Sequence, residues 1–207
     1  MIVRQGRPAS ILVELSETAD LVVLAHRHLP HVKRLVTGST VVSVATHAAC
    51  PVISVPETWA PATGVENGRP GVITVGVHES GTTTRLLQTA FEVAAAHRCS
   101  LRLLHAWRLD AAYDDLVVRR IDPDWAVRAS DDVQGAVTSV AVGFPDVPFE
   151  VGVEHQWPAD ALTAASATSD LVIVGRHGHD LHLPARLGSV ARTVLRTAVC
   201  PVMVVPV

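Results

Sequence analysis

The chain repeats itself without gaps at an offset of 150 residues, which is the distance from Gly38 to Gly188. Three pairs of motifs share this offset: Asp20-Leu-Val22 with Asp170-Leu-Val172, Gly38-Ser39 with Gly188-Ser189, and Cys50-Pro-Val52 with Cys200-Pro-Val202. A repeat constrains the fold because equivalent segments bury equivalent apolar faces. Residues 1–57 copy 151–207, but no earlier segment matches residues 71–150. We therefore predict a truncated, degenerate half-unit (1–57), a linker (58–70) and a complete unit (71–207).

Apolar runs of strand length alternate with helical patterns along the complete unit. Strands are predicted at 72–77, 101–107, 149–154, 171–174 and 202–205, and helices at 82–97, 125–142, 159–166 and 189–197. The first of these helices has an apolar stripe formed by Leu86, Leu87, Ala90, Phe91 and Ala94. The alternation indicates an α/β fold with a parallel sheet and right-handed crossovers. Ligands of such sheets bind at the carboxyl ends of the strands, where the strand order reverses.

Composition excludes several classes of protein. Apolar residues make up 48% of the chain, yet no run approaches the eighteen that a membrane-spanning helix needs. A formal net charge of −3 argues against a nucleic-acid or membrane partner. The three cysteines form no Cys-x-x-Cys pair and are odd in number, which is typical of buried thiols in a reducing compartment. We expect a cytoplasmic protein.

One loop has the composition of a phosphate-binding turn. The buried strand 171–174 is followed by Gly175 and Gly178, and a helical pattern begins at Gly188-Ser189. Glycine lets the backbone approach an anion closely, and the first turn of a helix offers unpaired N–H groups and a positive dipole end. Ser189 either caps this helix or gives its hydroxyl to a phosphate oxygen. A strand followed by two glycines is explained equally well by a plain turn.

The full spacing is more specific. Gly175-x2-Gly178-x9-Gly188-Ser189 resembles the nucleotide-binding signature of the universal stress protein family, and Cys200-Pro-Val-Met-Val-Val-Pro206 resembles that family's last strand. The resemblance implies a doubly wound, five-stranded parallel sheet of order 3-2-1-4-5, here preceded by a half-unit of the same fold. It also implies a stress-response protein that binds ATP or ADP, with or without Mg²⁺. The resemblance further implies that the last strands, 52–55 and 202–205, pair across a pseudo-two-fold axis and pack the half-unit on the complete unit, and that a homodimer through the last strands covers what remains exposed.

The resemblance also implies which residues meet the nucleotide. They are Val77, His78, Ser80, Ala106, Gly175, Arg176, His177, Gly178, Gly188, Ser189 and Val190. The family's first strand usually ends in an aspartate that accepts from the sugar, and His78 stands at that position here. A neutral imidazole accepts one hydrogen bond, fewer than a carboxylate does. Arg176, His177 and Arg186 are expected to offer positive charge to a phosphate, and the alternative is a solvated loop.

The half-unit has lost the glycines of this loop. Its equivalent segment reads Ala25-His-Arg-His28, and side chains there would occupy the space of a phosphate chain. We therefore expect one nucleotide site per chain. Histidines occur in both loops, at His26, His28, His31, His177, His179 and His182. Their irregular spacing favours exposed loop histidines over a metal site.

Three functions compete at this point. The first is nucleotide binding coupled to oligomerisation, and the second is an interaction module of the same fold that has lost its ligand. The third is an ATP-hydrolysing enzyme, and it has the weakest support because no carboxylate pair for Mg²⁺ and no general base is identifiable. We expect no catalytic residues and at most slow hydrolysis of ATP.

Overall fold

The computed structural model describes residues 3–26, 39–60, 71–78, 84–108, 127–128, 130–176 and 187–206. The half-unit contains α1 (Pro8–Leu15), β1 (Val22–His26), α2 (Ser39–His47) and β2 (Val52–Pro56). The complete unit begins with β3 (Val72–Val77), α3 (Thr84–His97), β4 (Ser100–Ala106) and α4 (130–141). It continues with β5 (Phe149–Glu154), α5 (Pro158–Ala165), β6 (Leu171–Arg176), α6 (Ser189–Thr197) and β7 (Val202–Pro206).

All seven strands join one sheet in the order β1-β2-β7-β6-β3-β4-β5. Every neighbouring pair is parallel except β2 and β7, which are antiparallel. The predicted α/β class is therefore confirmed. Numbered from β3, the strands of the complete unit lie in the order 3-2-1-4-5. The division of the chain into two domains stays a prediction, since the two units share this sheet.

The internal repeat is visible in the strand register. Val22 pairs with Val52 in the half-unit, and Val172 pairs with Val202 in the complete unit, at the same offset of 150 residues. In the antiparallel pair, Ile53 lies opposite its own equivalent, Met203. A pseudo-two-fold axis therefore passes between these two residues, and the last strands of the two copies meet across it.

This pairing corrects the predicted dimer interface. The strand β7 has β6 along one edge and β2 along the other, so neither last strand offers a free edge. A homodimer of this chain needs another surface.

Two apolar clusters cover the sheet, one on each face. Helices α1, α2, α5 and α6 pack on one face, with Val44, Leu162 and Val194 buried beneath them. Helices α3 and α4 cover the other face of the complete unit. All five residues of the predicted α3 stripe are buried, which confirms that prediction. The sheet therefore separates a face shared by both units from one that belongs to the complete unit.

The end of β6 differs from the sequence prediction. The strand was expected to stop at Val174, but it continues through Gly175, which pairs with Val205, to Arg176, which pairs with Pro206. Glycine has weak strand propensity, but tertiary pairing with β7 overrides it here. The sequence indicates an irregular or partly helical excursion at 111–123, and this segment lies outside the described residues.

Candidate functional site

The strands β3 and β6 lie side by side at the centre of the sheet, and the chain leaves them in opposite directions. From β3 it crosses to β4 on one side, and from β6 it crosses to β7 on the other. Diverging connections leave a crevice at the carboxyl ends of two such strands. Val77 ends β3 and Ala106 ends β4, so both predicted positions lie at this edge of the sheet.

The other end of β3 is fixed by Asp170, the residue before β6. Its carboxylate accepts a hydrogen bond from the Val72 amide at 2.8 Å, and its own amide donates to the Val72 carbonyl at 2.8 Å. The backbone of Gly71 passes so close that a Cβ atom there would lie 2.9 Å from the carboxylate. These contacts fix the register of β3 against β6, and therefore where the carboxyl ends of the two strands lie.

Helix α6 opens with uncapped backbone donors. Gly188 is its N-cap, in an extended conformation (φ −59°, ψ 159°), and no side chain caps the helix within the described part of the chain. The interpretation of Ser189 as the cap is therefore wrong, because Ser189 is already the first helical residue and its side chain is exposed. An α-helix leaves its first N–H groups without intrahelical partners, and the dipole is positive at this end. Ser189 and Val190 thus begin a helix that can receive an anion.

Arg176 lies at the crevice edge of the sheet, but its side chain turns away from it. The residue is only 9% exposed, and Nη1 donates to the carbonyl oxygens of Thr46 at 2.7 Å and Ala48 at 2.9 Å, with Ala45 at 3.4 Å. Burial lowers the pKa of the guanidinium, and the positive charge of Arg85 lowers it further. The expected contact of Arg176 with a phosphate is therefore not the contact that the structure has. The sequence gives no signal for it, because the acceptors are backbone atoms about 130 residues away.

Two histidines meet beside the crevice. His78 follows β3 and is exposed, whereas His105 is buried in β4 and its Nδ1 lies 3.2 Å from the Val77 carbonyl oxygen. A carbonyl only accepts, so Nδ1 of His105 carries the proton. The two rings meet edge to face with centroids 5.9 Å apart. The position of His105 in an apolar strand run indicates burial, but the sequence gives no sign of its hydrogen bond to the last carbonyl of β3.

Aromatic side chains line the rim at the ends of β4 and β5. The Trp107 amide donates to the Glu154 carbonyl at 3.0 Å, and the Trp107 ring lies 4.4 Å from the ring of His155. The Arg108 guanidinium lies 5.8 Å from the ring centroid of Trp157. Sequence reasoning missed this group, although Trp107 at the end of one predicted strand and Trp157 shortly after another were the available signal.

Ser80, His177, Gly178 and Arg186 lie outside the described residues, as does His28 in the half-unit. Within the described ranges, no group of three or more His, Cys, Asp or Glu side chains is arranged to hold a metal ion. None of the helices described is both long and apolar enough to cross a membrane.

The sequence profile of the universal stress protein family matches residues 1–56 and 71–206, which is nearly the whole chain. The chain belongs to the universal stress protein family. Among its relatives, a universal stress protein of Mycobacterium tuberculosis is 30% identical over 209 residues, and the match covers 98% of this chain and 63% of that protein. The chain thus spans somewhat less than two thirds of the length of this relative.

Solved universal stress proteins share the fold. One from Archaeoglobus fulgidus superposes with a TM-score of 0.62 at 19% identity, covering 96% of this chain and 65% of the other. One described as a putative universal stress protein, from Pseudomonas aeruginosa, gives a TM-score of 0.63 at 17% identity, with coverages of 98% and 69%. At these identities the likeness establishes the fold of this universal stress protein and leaves its ligand open.

Proposed function

We propose that this chain is a cytoplasmic stress-response protein that binds one adenine nucleotide, ATP or ADP, at the carboxyl ends of β3 and β6. It acts through binding and oligomerisation and at most hydrolyses ATP slowly. The observation that carries the proposal is the uncapped start of α6 after Gly188, in the connection that leaves the central switch point. Open amides, a positive dipole end and an exposed Ser189 side chain suit a phosphate chain.

Different residues contact the phosphates, the sugar and the adenine. The phosphates lie on the backbone of Gly188, Ser189 and Val190, together with Gly175, Gly178 and the side chains of Ser80 and His177. The sugar lies beside Val77 and His78, and the adenine lies against the backbone of Ala106. The Trp107 and His155 rings extend the rim on the adenine side. Any Mg²⁺ is held mainly by the phosphates.

A thermal-shift titration tests the nucleotide. At about a hundred times its dissociation constant a ligand stabilises the folded state by about 2.7 kcal/mol, which raises Tm by about 5–10 °C for a chain of this size. No shift with millimolar ATP, ADP or AMP rejects the proposal.

The variant Ser189→Glu locates the site. A carboxylate about 4 Å from a phosphate costs several kcal/mol at a protein surface, so we expect ATP affinity to fall at least about tenfold. A glutamate in the first turn interacts favourably with the positive end of the helix dipole, so we expect the variant to fold normally. The matched control is Ser39→Glu, the equivalent first position of α2, which should leave the ATP shift unchanged. An equal ATP shift in Ser189→Glu and wild-type protein places the ligand elsewhere.

The second candidate is a ligand-free interaction module of the same fold. The observation that favours it is His78 at the position where the family usually has an aspartate. It predicts no nucleotide in the protein as purified, and no difference between Ser189→Glu and wild type in any partner assay. Mass spectrometry of the denatured protein distinguishes the two candidates.

We also propose a homodimer, through the edge of the half-unit rather than through the last strands. The strand β1 ends the sheet, and Val23 on it is 57% exposed, whereas its repeat equivalent Ile173 is fully buried. The opposite edge strand, β5, is protected by Glu150 and Glu154, while β1 contains no carboxylate, lysine or arginine. An uncharged, apolar edge favours pairing with another strand.

A further inference from the structure

Arg176 connects the carboxyl end of β6 to the half-unit. Its backbone pairs with Pro206 in β7. Arg176 is also the last residue of β6, directly before the proposed phosphate-binding segment 177–187, which is called the nucleotide loop below. Its guanidinium donates to the carbonyl oxygens of Thr46 and Ala48 at the end of α2. One residue is therefore bonded through its backbone to the complete unit and through its side chain to the other unit.

The contact is strong because it supplies donors to the helix carbonyls and acceptors to the guanidinium. The last carbonyls of a helix have no intrahelical donor, and this end of the helix dipole favours a cation. A buried guanidinium is unfavourable unless its N–H groups find acceptors. Among the described residues Arg176 makes no ion pair, and the ion pairs found there are Arg4–Glu14 and Arg102–Glu150. The charge of Arg176 is therefore compensated by α2 only while the half-unit is docked.

The repeat shows that an arginine is not needed to build this strand. The equivalent residue is His26, whose Nδ1 lies 2.9 Å from the hydroxyl of Ser54 on the neighbouring strand. The half-unit forms the same pair of parallel strands in the same register with histidine at that place. Arg176 thus serves the contact between the two copies rather than the fold of either one.

We propose that Arg176 is a positioning residue that couples docking of the half-unit to the nucleotide site, by fixing the end of β6 from which the nucleotide loop begins. The inference rests on the proposed nucleotide site. Coupling between two sites is reciprocal, so nucleotide must also strengthen the docking of α2. The half-unit is then a built-in regulator of the site.

Hydrogen exchange and ATP affinity, measured on the full chain, test the coupling. Arg176→Met should accelerate exchange of the α2 amides and leave those of α3 and β4 unchanged, and it should weaken ATP binding by about 5- to 100-fold. Arg176→Lys should restore part of both effects, since an ammonium also donates to several carbonyls. The control is Arg102→Met, an arginine on β4 whose ion pair with Glu150 is exposed; it should change neither quantity.

The outcomes separate the alternatives. If ATP affinity falls while α2 exchange stays the same, Arg176 acts on the nucleotide directly and the inference is wrong. If α2 exchange rises while affinity is kept, the two sites are uncoupled and the inference is also wrong. Should Arg176→Met not fold, wild-type protein decides, because saturating ATP must slow α2 exchange and unchanged rates overturn the coupling. If wild type binds no nucleotide, the proposed function fails. Hydrogen exchange of the α2 amides in wild type and Arg176→Met then still decides whether Arg176 stabilises the docked half-unit.

Discussion

At the scale of single residues, polar side chains at the carboxyl edge of the sheet hold the backbone rather than reach into the crevice. His105 contacts the last carbonyl of β3, and Arg176 contacts the last carbonyls of α2. Asp170 does the same at the opposite end of β3, through the Val72 amide. Among the described residues, the donors left for an anion are therefore mostly main-chain amides. We expect the selectivity of the proposed site to come from its shape and from His78 rather than from a ring of charged side chains.

Cys200 makes the stability of the protein depend on pH at the alkaline end. It is buried, and desolvation raises the pKa of its thiol from 9.0 to about 11. Below pH 9 the thiol is protonated in both the folded and the unfolded state, so its stabilising contribution is complete. As the pH rises from about 9 to about 11 the unfolded thiol ionises first, and this contribution is lost.

Urea unfolding at several values between pH 8 and 11 measures this effect. We expect the midpoint to fall with rising pH in wild type and to fall less steeply in Cys200→Ala. Cys50→Ala, at the equivalent position of the half-unit, is the matched comparison, since burial raises the pKa of that thiol as well. Parallel pH profiles for wild type and Cys200→Ala would contradict the assignment.

At the scale of elements, most bounds follow from local pattern, while the side-chain contacts between the units do not. The sequence predicted β3, β5 and α6 to the residue, because an apolar run or stripe is bounded there by polar residues, glycine or proline. It missed the last two residues of β6, since only pairing with β7 keeps Gly175 in a strand. It did not predict the contact of the Arg176 side chain with α2, because the acceptors are backbone carbonyls at a distant helix end.

A pair of equivalent serines tests whether the half-unit is an integral part of the fold. The buried Ser166 hydroxyl donates to the Thr163 carbonyl at 2.6 Å and accepts from the Val199 amide at 3.1 Å. Ser16 does the same in the half-unit, donating to Val13 at 2.6 Å and accepting from Ala49 at 2.9 Å. In both copies this hydroxyl joins the end of one helix to the turn before the last strand.

Replacing either serine by alanine leaves a backbone donor without its acceptor and should cost about 1–3 kcal/mol, or about 3–10 °C in Tm. Because both units share one sheet, we expect Ser16→Ala and Ser166→Ala to lower a single common transition. Differential scanning calorimetry measures it. A separate early transition in Ser16→Ala alone would mean that the half-unit unfolds independently.

At the scale of the whole molecule, the two units differ in how their faces of the sheet are covered. In the complete unit α3 and α4 cover the face of the sheet that contains Ile173 and Val205, and both residues are fully buried. Their equivalents in the half-unit are Val23 and Val55, of which Val23 is exposed and Val55 half-buried. Among the described residues no strand flanks β1, so in this part of the chain one edge and one face of the half-unit are both open.

We predict that β1 pairs with β1 of a second copy around a two-fold axis. Such a contact uses the same patch on both partners and closes as a dimer, whereas pairing β1 with β5 would leave free edges at both ends and propagate into filaments. The charges of Glu150 and Glu154 disfavour that second arrangement.

Light scattering should therefore give twice the chain mass of 22.0 kDa at micromolar concentration. Val23→Lys should shift the mass toward the monomer, because two lysines would then face each other across the new strand pair. Val199→Lys is the control, since Val199 is 55% exposed and lies away from the edge. If wild type is monomeric, or if both lysine variants dissociate alike, the edge of β1 is not the dimer surface.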